Sequence, residues 1–134
     1  MKELTLKATI ANLPQAIEWL EQLLEEMECS FKAQMQLSVA MDELFSNIAK
    51  YAYPDSTGDV TIRLEQSEPS MVQLIFMDSG IPYDPLQKED PDVSLSAQER
   101  EIGGLGIYMV KKTMDEITYE YKNGQNILAI KKRI

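Results

Sequence analysis

The chain has 134 residues, 44% apolar and 26% charged, with a formal net charge of −9, which predicts a single domain over residues 1–134 with a core of its own. That charge excludes general affinity for nucleic acid or an anionic membrane, yet leaves room for a nucleotide, because a local Mg²⁺ and aligned backbone N–H groups overcome a negative overall field. Histidine is absent and cysteine occurs once, at Cys29, which removes histidine catalysis, phosphohistidine, an internal disulfide and a zinc site.

The N-terminal stretch "MKELTLKATIANLP" lacks the uninterrupted apolar core of a signal peptide. No apolar run approaches the length of a membrane span, so a reducing, cytoplasmic setting is expected. "ELTLKATI" alternates as a first strand, and Asn12 with Pro14 reads as the N-cap and first turn of a helix. Apolar residues at Ile17, Leu20, Leu23, Leu24 and Met27 make that helix amphipathic, with Trp19 at the margin of its stripe. A second helix runs from near Ser30 to about Tyr51, with Leu37, Ala40, Met41, Leu44, Phe45, Ile48, Ala49 and Ala52 at helical spacing. "YPDSTGD" turns the chain. "VTIRLEQ" and "MVQLIFMD" then read as the strands of a hairpin around "SEPS", the second more fully buried.

After Asp78 comes a long segment rich in proline, glycine and charge, of the kind that serves as a lid or binding loop. "GLGIYMVKKTM" is a third helix that opens in glycines. "DEITYEYKNGQNILAIKKRI" is two strands joined through "NGQN", with Asn-Gly as the hairpin signal. Strand and helix runs in this order predict an α+β two-layer sandwich, its sheet mostly antiparallel and its helices on one face.

Three places carry residues suited to chemistry. On the second helix, Glu43 and Asn47 are one turn apart and about a third of a turn from the centre of the apolar stripe, a position that suits a cleft wall. An asparagine carbonyl is a hard oxygen ligand for Mg²⁺, and a neighbouring carboxylate can orient or deprotonate a hydroxyl; a solvated helix edge is the plainer reading. Asp78 ends a buried strand and is followed by Gly80, so the carboxylate can accept from an exocyclic amine such as adenine N6, or can close a local turn. Gly103, Gly104 and Gly106 open the third helix. A glycine-rich helix start presents free N–H groups and a positive dipole end to phosphate, or permits close helix packing.

Taken in order, ExxxN on a helix, DxG after a strand, a lid-like loop and GGLG at a helix start resemble the N, G1 and G2 boxes of the GHKL superfamily, which has the Bergerat ATP-binding fold. The form "DSGIPYDP" and the compact length are similar to the bacterial anti-sigma-factor serine/threonine kinases, and the resemblance runs from first strand to last hairpin. It implies ATP and Mg²⁺ as cofactors. By that pattern Asn47 coordinates Mg²⁺ and Glu43 is general base toward a substrate hydroxyl. Asp78 binds the adenine amine, with Gly80 giving room beside it, and Gly104, Leu105 and Gly106 lie against the phosphates. "NIAKY" resembles NxxKY, which implies that Lys50 reaches a phosphate and Tyr51 lines the nucleotide pocket. A lid at about residues 84–102 closes over ATP, with Arg100 as a phosphate contact. Two departures are visible: Pro82 stands at the second glycine of DxGxG, and Asn126 stands where many relatives have threonine beside the adenine.

The resemblance also implies partner switching. The kinase binds a sigma factor and phosphorylates a serine or threonine of a STAS-domain anti-anti-sigma partner. It implies a homodimer too, for which "LTLKATI" is a candidate edge strand, with no direct nucleic acid or membrane contact. The competing function is a non-catalytic, nucleotide-gated module of the same fold that sequesters a regulator. A histidine-kinase catalytic domain is a third reading; lacking histidine, this chain would have to act in trans.

Overall fold

The computed structural model describes residues 1–87 and 104–134. Strand β1 (Lys2–Lys7) leads through a 3-10 turn at Ile10–Asn12 into helices α1 (Leu13–Glu26) and α2 (Phe31–Tyr51). Strands β2 (Asp59–Glu68) and β3 (Met71–Asp78) form a hairpin, and a second 3-10 turn spans Pro85–Gln87. Helix α3 (Gly104–Thr113) precedes β4 (Glu116–Lys122) and β5 (Gln125–Arg133). The strands join in one sheet of order β1-β2-β3-β5-β4 in which every pairing is antiparallel. This is the expected α+β sandwich, with β1 at one edge.

The period-2 pattern decides which face is covered. Val60, Ile62 and Leu64 of β2, Val72, Leu74 and Phe76 of β3, and Leu128 and Ile130 of β5 are buried, while the residues between them are at least partly open. These join Leu20 and Leu24 of α1, Leu37, Met41, Leu44 and Phe45 of α2, and Ile107 and Val110 of α3 in one core. Trp19 packs against that core from its edge. Truncating a side chain such as Phe45 or Phe76 to alanine would cost about 3–5 kcal/mol.

The helix ends show which local signals act. Ser30 caps α2, its side chain accepting from Ala33 N–H at 3.2 Å. Asn12 sits at the N-cap position of α1 but makes no capping bond. It instead donates to the Lys7 carbonyl at 3.0 Å, because the first strand stops at Lys7 and the 3-10 turn intervenes. Helix α1 ends with Glu28 at a φ of 57°, where glycine is usual. There Cys29 N–H donates to the Leu24 carbonyl and Glu28 N–H to that of Glu25, the paired bonds of a Schellman motif. Cys29 is buried by this closure and its thiol pKa is pushed up by that burial. The β4–β5 turn has Asn123 at φ 55° and Gly124 at φ 76°, the two positive values of a type I′ turn.

Candidate functional site

Strand alternation carries the site. In β3 the inward series Val72, Leu74, Phe76 ends at Asp78, and in β5 the inward series Ile130, Leu128 ends at Asn126. The register sets Asp78 directly opposite Asn126, so the apolar face of the sheet finishes in two buried polar side chains. Asn126 Nδ2 donates to Asp78 Oδ1 at 2.9 Å, and Gly80 N–H donates to the same oxygen at 2.9 Å. Among the described residues no donor reaches Oδ2. Burial raises the Asp78 pKa above the ordinary carboxylate value, and the bonds from Asn126 and Gly80 pull it back down.

A cleft lies over this pair. The apolar stripe of α2 runs out of the core and becomes its wall, through Leu44, Ile48 and Ala52. Phe76 and Leu128 come from the sheet, Ile81, Tyr83 and Pro85 from the segment after β3, and Tyr119 from β4. Asn47 reaches the same space from the shoulder of α2. Apolar walls with a few convergent polar groups suit a flat heterocycle whose edge is read by one carboxylate. The Asn47 carboxamide offers a hard oxygen at the cavity wall. Among the described residues no three His, Cys, Asp or Glu side chains gather to hold a metal. This donor set fits Mg²⁺ carried mainly by phosphate oxygens, which needs one or two protein oxygens.

Glu43, one turn before Asn47, is not a lining residue of the cavity. Its carboxylate lies against Gly106, where a Cβ would collide with all three carboxylate atoms. Gly106 is glycine because Glu43 occupies that space, and the contact brings the acid to the opening turn of α3. Gly104 and Leu105 supply the backbone of that turn. Gly103, Arg100 and the lid beyond Gln87 lie outside the described residues.

Other expected residues fall differently. At Gly80, to which the resemblance gives room beside a base, a Cβ would strike the Ala52 carbonyl and side chain. The missing side chain admits the C-terminus of α2, and Ile81 N–H donates to the Ala52 carbonyl at 2.9 Å. Lys50 is exposed and is not a cavity-lining residue. Tyr51 is also exposed and packs beside the pocket-lining Tyr83, their ring centroids 5.7 Å apart. Asn126 is in β5 rather than in the turn, since the turn is only Asn123-Gly124.

Three tyrosines complete the site without having been singled out in the sequence. Tyr119 hydrogen-bonds Asn126, and the alternation of Ile117 and Tyr119 toward the core was a usable signal. Tyr83 donates its N–H to Asn126 Oδ1 at 3.1 Å. Tyr53 donates its hydroxyl to the Asp59 carbonyl at 2.7 Å and accepts from Ser79 N–H at 2.9 Å. It thereby ties the start of β2 to the turn after Asp78, a role that no local pattern encodes.

Comparison with known proteins gives a consistent setting. The family model described as the histidine kinase-like ATPase domain matches residues 6–132. The serine/threonine-protein kinase BtrW of Bordetella bronchiseptica is 29% identical over 129 residues, covering 96% of this chain and 89% of that protein. The serine-protein kinase RsbW of Bacillus cereus is 26% identical over 99 residues, covering 71% of this chain and 61% of RsbW. Among solved structures, the RsbU and RsbW domains of Rv1364c from Mycobacterium tuberculosis match with a TM-score of 0.65 at 15% identity, over 99% of this chain and 32% of that one. The mycobacterial sensor histidine kinase MprB matches with a TM-score of 0.55 at 16% identity, over 99% of this chain and all of that one. At such identities the two structures speak to the fold alone. With a family match that runs from β1 to β5 across both walls of the cavity, the chain belongs to the histidine kinase-like ATPase domain family.

Proposed function

We propose that this chain, over residues 1–134, is an ATP-dependent serine/threonine protein kinase and anti-sigma factor that works by partner switching. The observation that carries the reading is the Glu43 carboxylate, set against Gly106 at the opening of α3 and one helical turn from Asn47 in the Asp78 cavity. An acid so placed suits a general base toward a substrate hydroxyl. The kinase names of BtrW and RsbW support the same reaction.

In this reading adenine enters between Ile48, Phe76 and Leu128, and its exocyclic amine donates to Asp78. The backbone of Gly104, Leu105 and Gly106 lies along the phosphates, where free N–H groups and the positive end of α3 favour negative charge. Asn47 would hold Mg²⁺ through its carboxamide oxygen, and the ion would neutralise charge on the phosphates. Glu43 accepts the proton of the substrate serine or threonine hydroxyl as its oxygen takes the γ-phosphoryl group and ADP departs. Lys50 and Tyr51 belong to the outer margin of this site.

The substrate is a STAS-domain anti-anti-sigma protein, and its phosphorylation frees the kinase to hold a sigma factor. The chain acts in the cytoplasm; among the described residues no helix is long and apolar enough to cross a membrane. β1 leaves one edge of the sheet open to a second copy. Incubation with Mg-ATP and the cognate STAS protein should yield phosphoserine or phosphothreonine by mass spectrometry. Glu43→Ala should abolish transfer and keep ADP binding. Wild-type protein that binds ADP and captures its partner, yet moves no phosphate, would establish the non-catalytic module instead.

A further inference from the structure

The Asn126 carboxamide is fully engaged within the protein. Its oxygen accepts from Tyr83 N–H at 3.1 Å and from the Tyr119 hydroxyl. Its Nδ2 donates to Asp78 Oδ1 at 2.9 Å and to the Ile81 carbonyl at 2.8 Å. A primary amide has two donor hydrogens and two acceptor lone pairs, so these bonds exhaust it. The amide orientation is dictated by its partners, since Tyr83 N–H can only donate and the Ile81 carbonyl can only accept. With the residue 6% exposed and every polar site of its side chain taken, Asn126 has nothing left to offer a base directly.

What it does instead is join three pieces of the cavity: Asp78 from β3, Tyr119 from β4, and the strap Ile81-Pro82-Tyr83 that walls the mouth. Pro82 stiffens the strap and removes a donor from it. Apart from Asn126, the strap is tethered among the described residues by Ile81 N–H donating to the Ala52 carbonyl at 2.9 Å. We propose that Asn126 is a positioning residue that aims the Asp78 carboxylate and pins the Ile81–Tyr83 strap, so that the site selects 6-amino over 6-oxo purine nucleotides. The proposal rests on the nucleotide reading above and adds to it the source of base selectivity. With Oδ1 held by Asn126 and Gly80, Oδ2 is left as a fixed acceptor. A 6-amino group donates to it, whereas a 6-oxo group opposes lone pair to lone pair. Without Asn126 the carboxylate is free to turn and the strap loses both of its tethers to β5. A threonine hydroxyl, with one donor hydrogen on a shorter stem, cannot make the same four bonds.

The test uses the whole chain with Asn126→Ala and, as a milder variant, Tyr119→Phe, which takes one bond from Asn126. Two quantities are measured: exchange of the Tyr83 amide by NMR in nucleotide-free protein, and calorimetric Kd values for Mg-ADP and Mg-IDP. In Asn126→Ala, Tyr83 exchange should quicken by about tenfold or more while the Leu74 and Ile130 amides stay protected. The preference for ADP over IDP should narrow by about tenfold, the scale expected for a bond to a charged group. Tyr119→Phe should shift both in the same direction by less. An ADP:IDP ratio that stays at the wild-type value while ADP binding weakens would reduce Asn126 to a structural role and overturn the proposal. Tyr83 exchange within twofold of wild type would overturn the strap assignment. Wild-type protein that binds neither nucleotide would defeat the nucleotide reading and base selectivity with it, whereas the exchange result would still decide the strap.

Discussion

Asp78→Asn separates what the carboxylate does for a nucleotide from what it costs the fold. The side chain keeps its shape, and its carbonyl oxygen still accepts the 2.9 Å bonds from Gly80 N–H and Asn126 Nδ2. Oδ2 becomes an NH₂ group, which sets a donor against the donor amine of adenine. A hydrogen bond to a charged group contributes about 1.5–3 kcal/mol, and about 1.4 kcal/mol is a tenfold change. The Kd for Mg-ADP should therefore rise about 10- to 150-fold, whereas Mg-IDP, whose 6-oxo group meets the new donor, should bind no more weakly than to wild type. Stability moves the other way. Burial raises the Asp78 pKa, so the folded chain holds this proton more tightly than the unfolded chain. The contribution of the group to stability is present below the ordinary carboxylate range and is lost as pH rises through the raised value. At neutral pH the wild type carries a partly desolvated charge that the amide lacks. The Tm of Asp78→Asn should equal or exceed that of wild type at pH 7, and the gap should close toward acid pH. Calorimetry and thermal unfolding across that range read both effects. Unchanged ADP affinity would refute the base-reading role, and a Tm several degrees lower at neutral pH would refute the burial cost.

Two further substitutions test contacts on either side of the cavity. Gly106→Ala places a Cβ on the Glu43 carboxylate; the overpacking should cost about 1–3 kcal/mol and depress phosphotransfer more than ADP binding, as unfolding midpoints and transfer assays would show. Unaltered Tm and transfer would mean that the contact between Glu43 and Gly106 has no part in the chemistry. Tyr53→Phe removes the hydroxyl that bridges Asp59 and Ser79 and should cost about 1–3 kcal/mol in a denaturant melt, since it leaves the Ser79 N–H without this acceptor.

Much of this protein is written in short-range pattern. Helical spacing marked the buried faces of α1 and α2, including the marginal place of Trp19, because burial of one stripe requires that period. Alternation carried Asp78 to the inner face of β3, and Asn-Gly fixed the β4–β5 turn. The order of Glu43, Asn47, Asp78 and the glycine turn pointed to a nucleotide site before any of them was placed in space. Tertiary structure alone decided what those residues touch. Asn126 left the turn for the sheet because a two-residue turn brings the next strand in sooner, and pairing with β3 then set it opposite Asp78. Gly80 and Gly106 are glycines on account of Ala52 and Glu43, which are far from them in sequence but pressed against them by helix packing. Period and turn chemistry act over a few residues, so one sequence suffices to read them. Cross-strand partners and the atoms filling a glycine's empty side are set by long-range packing, which no local spacing records.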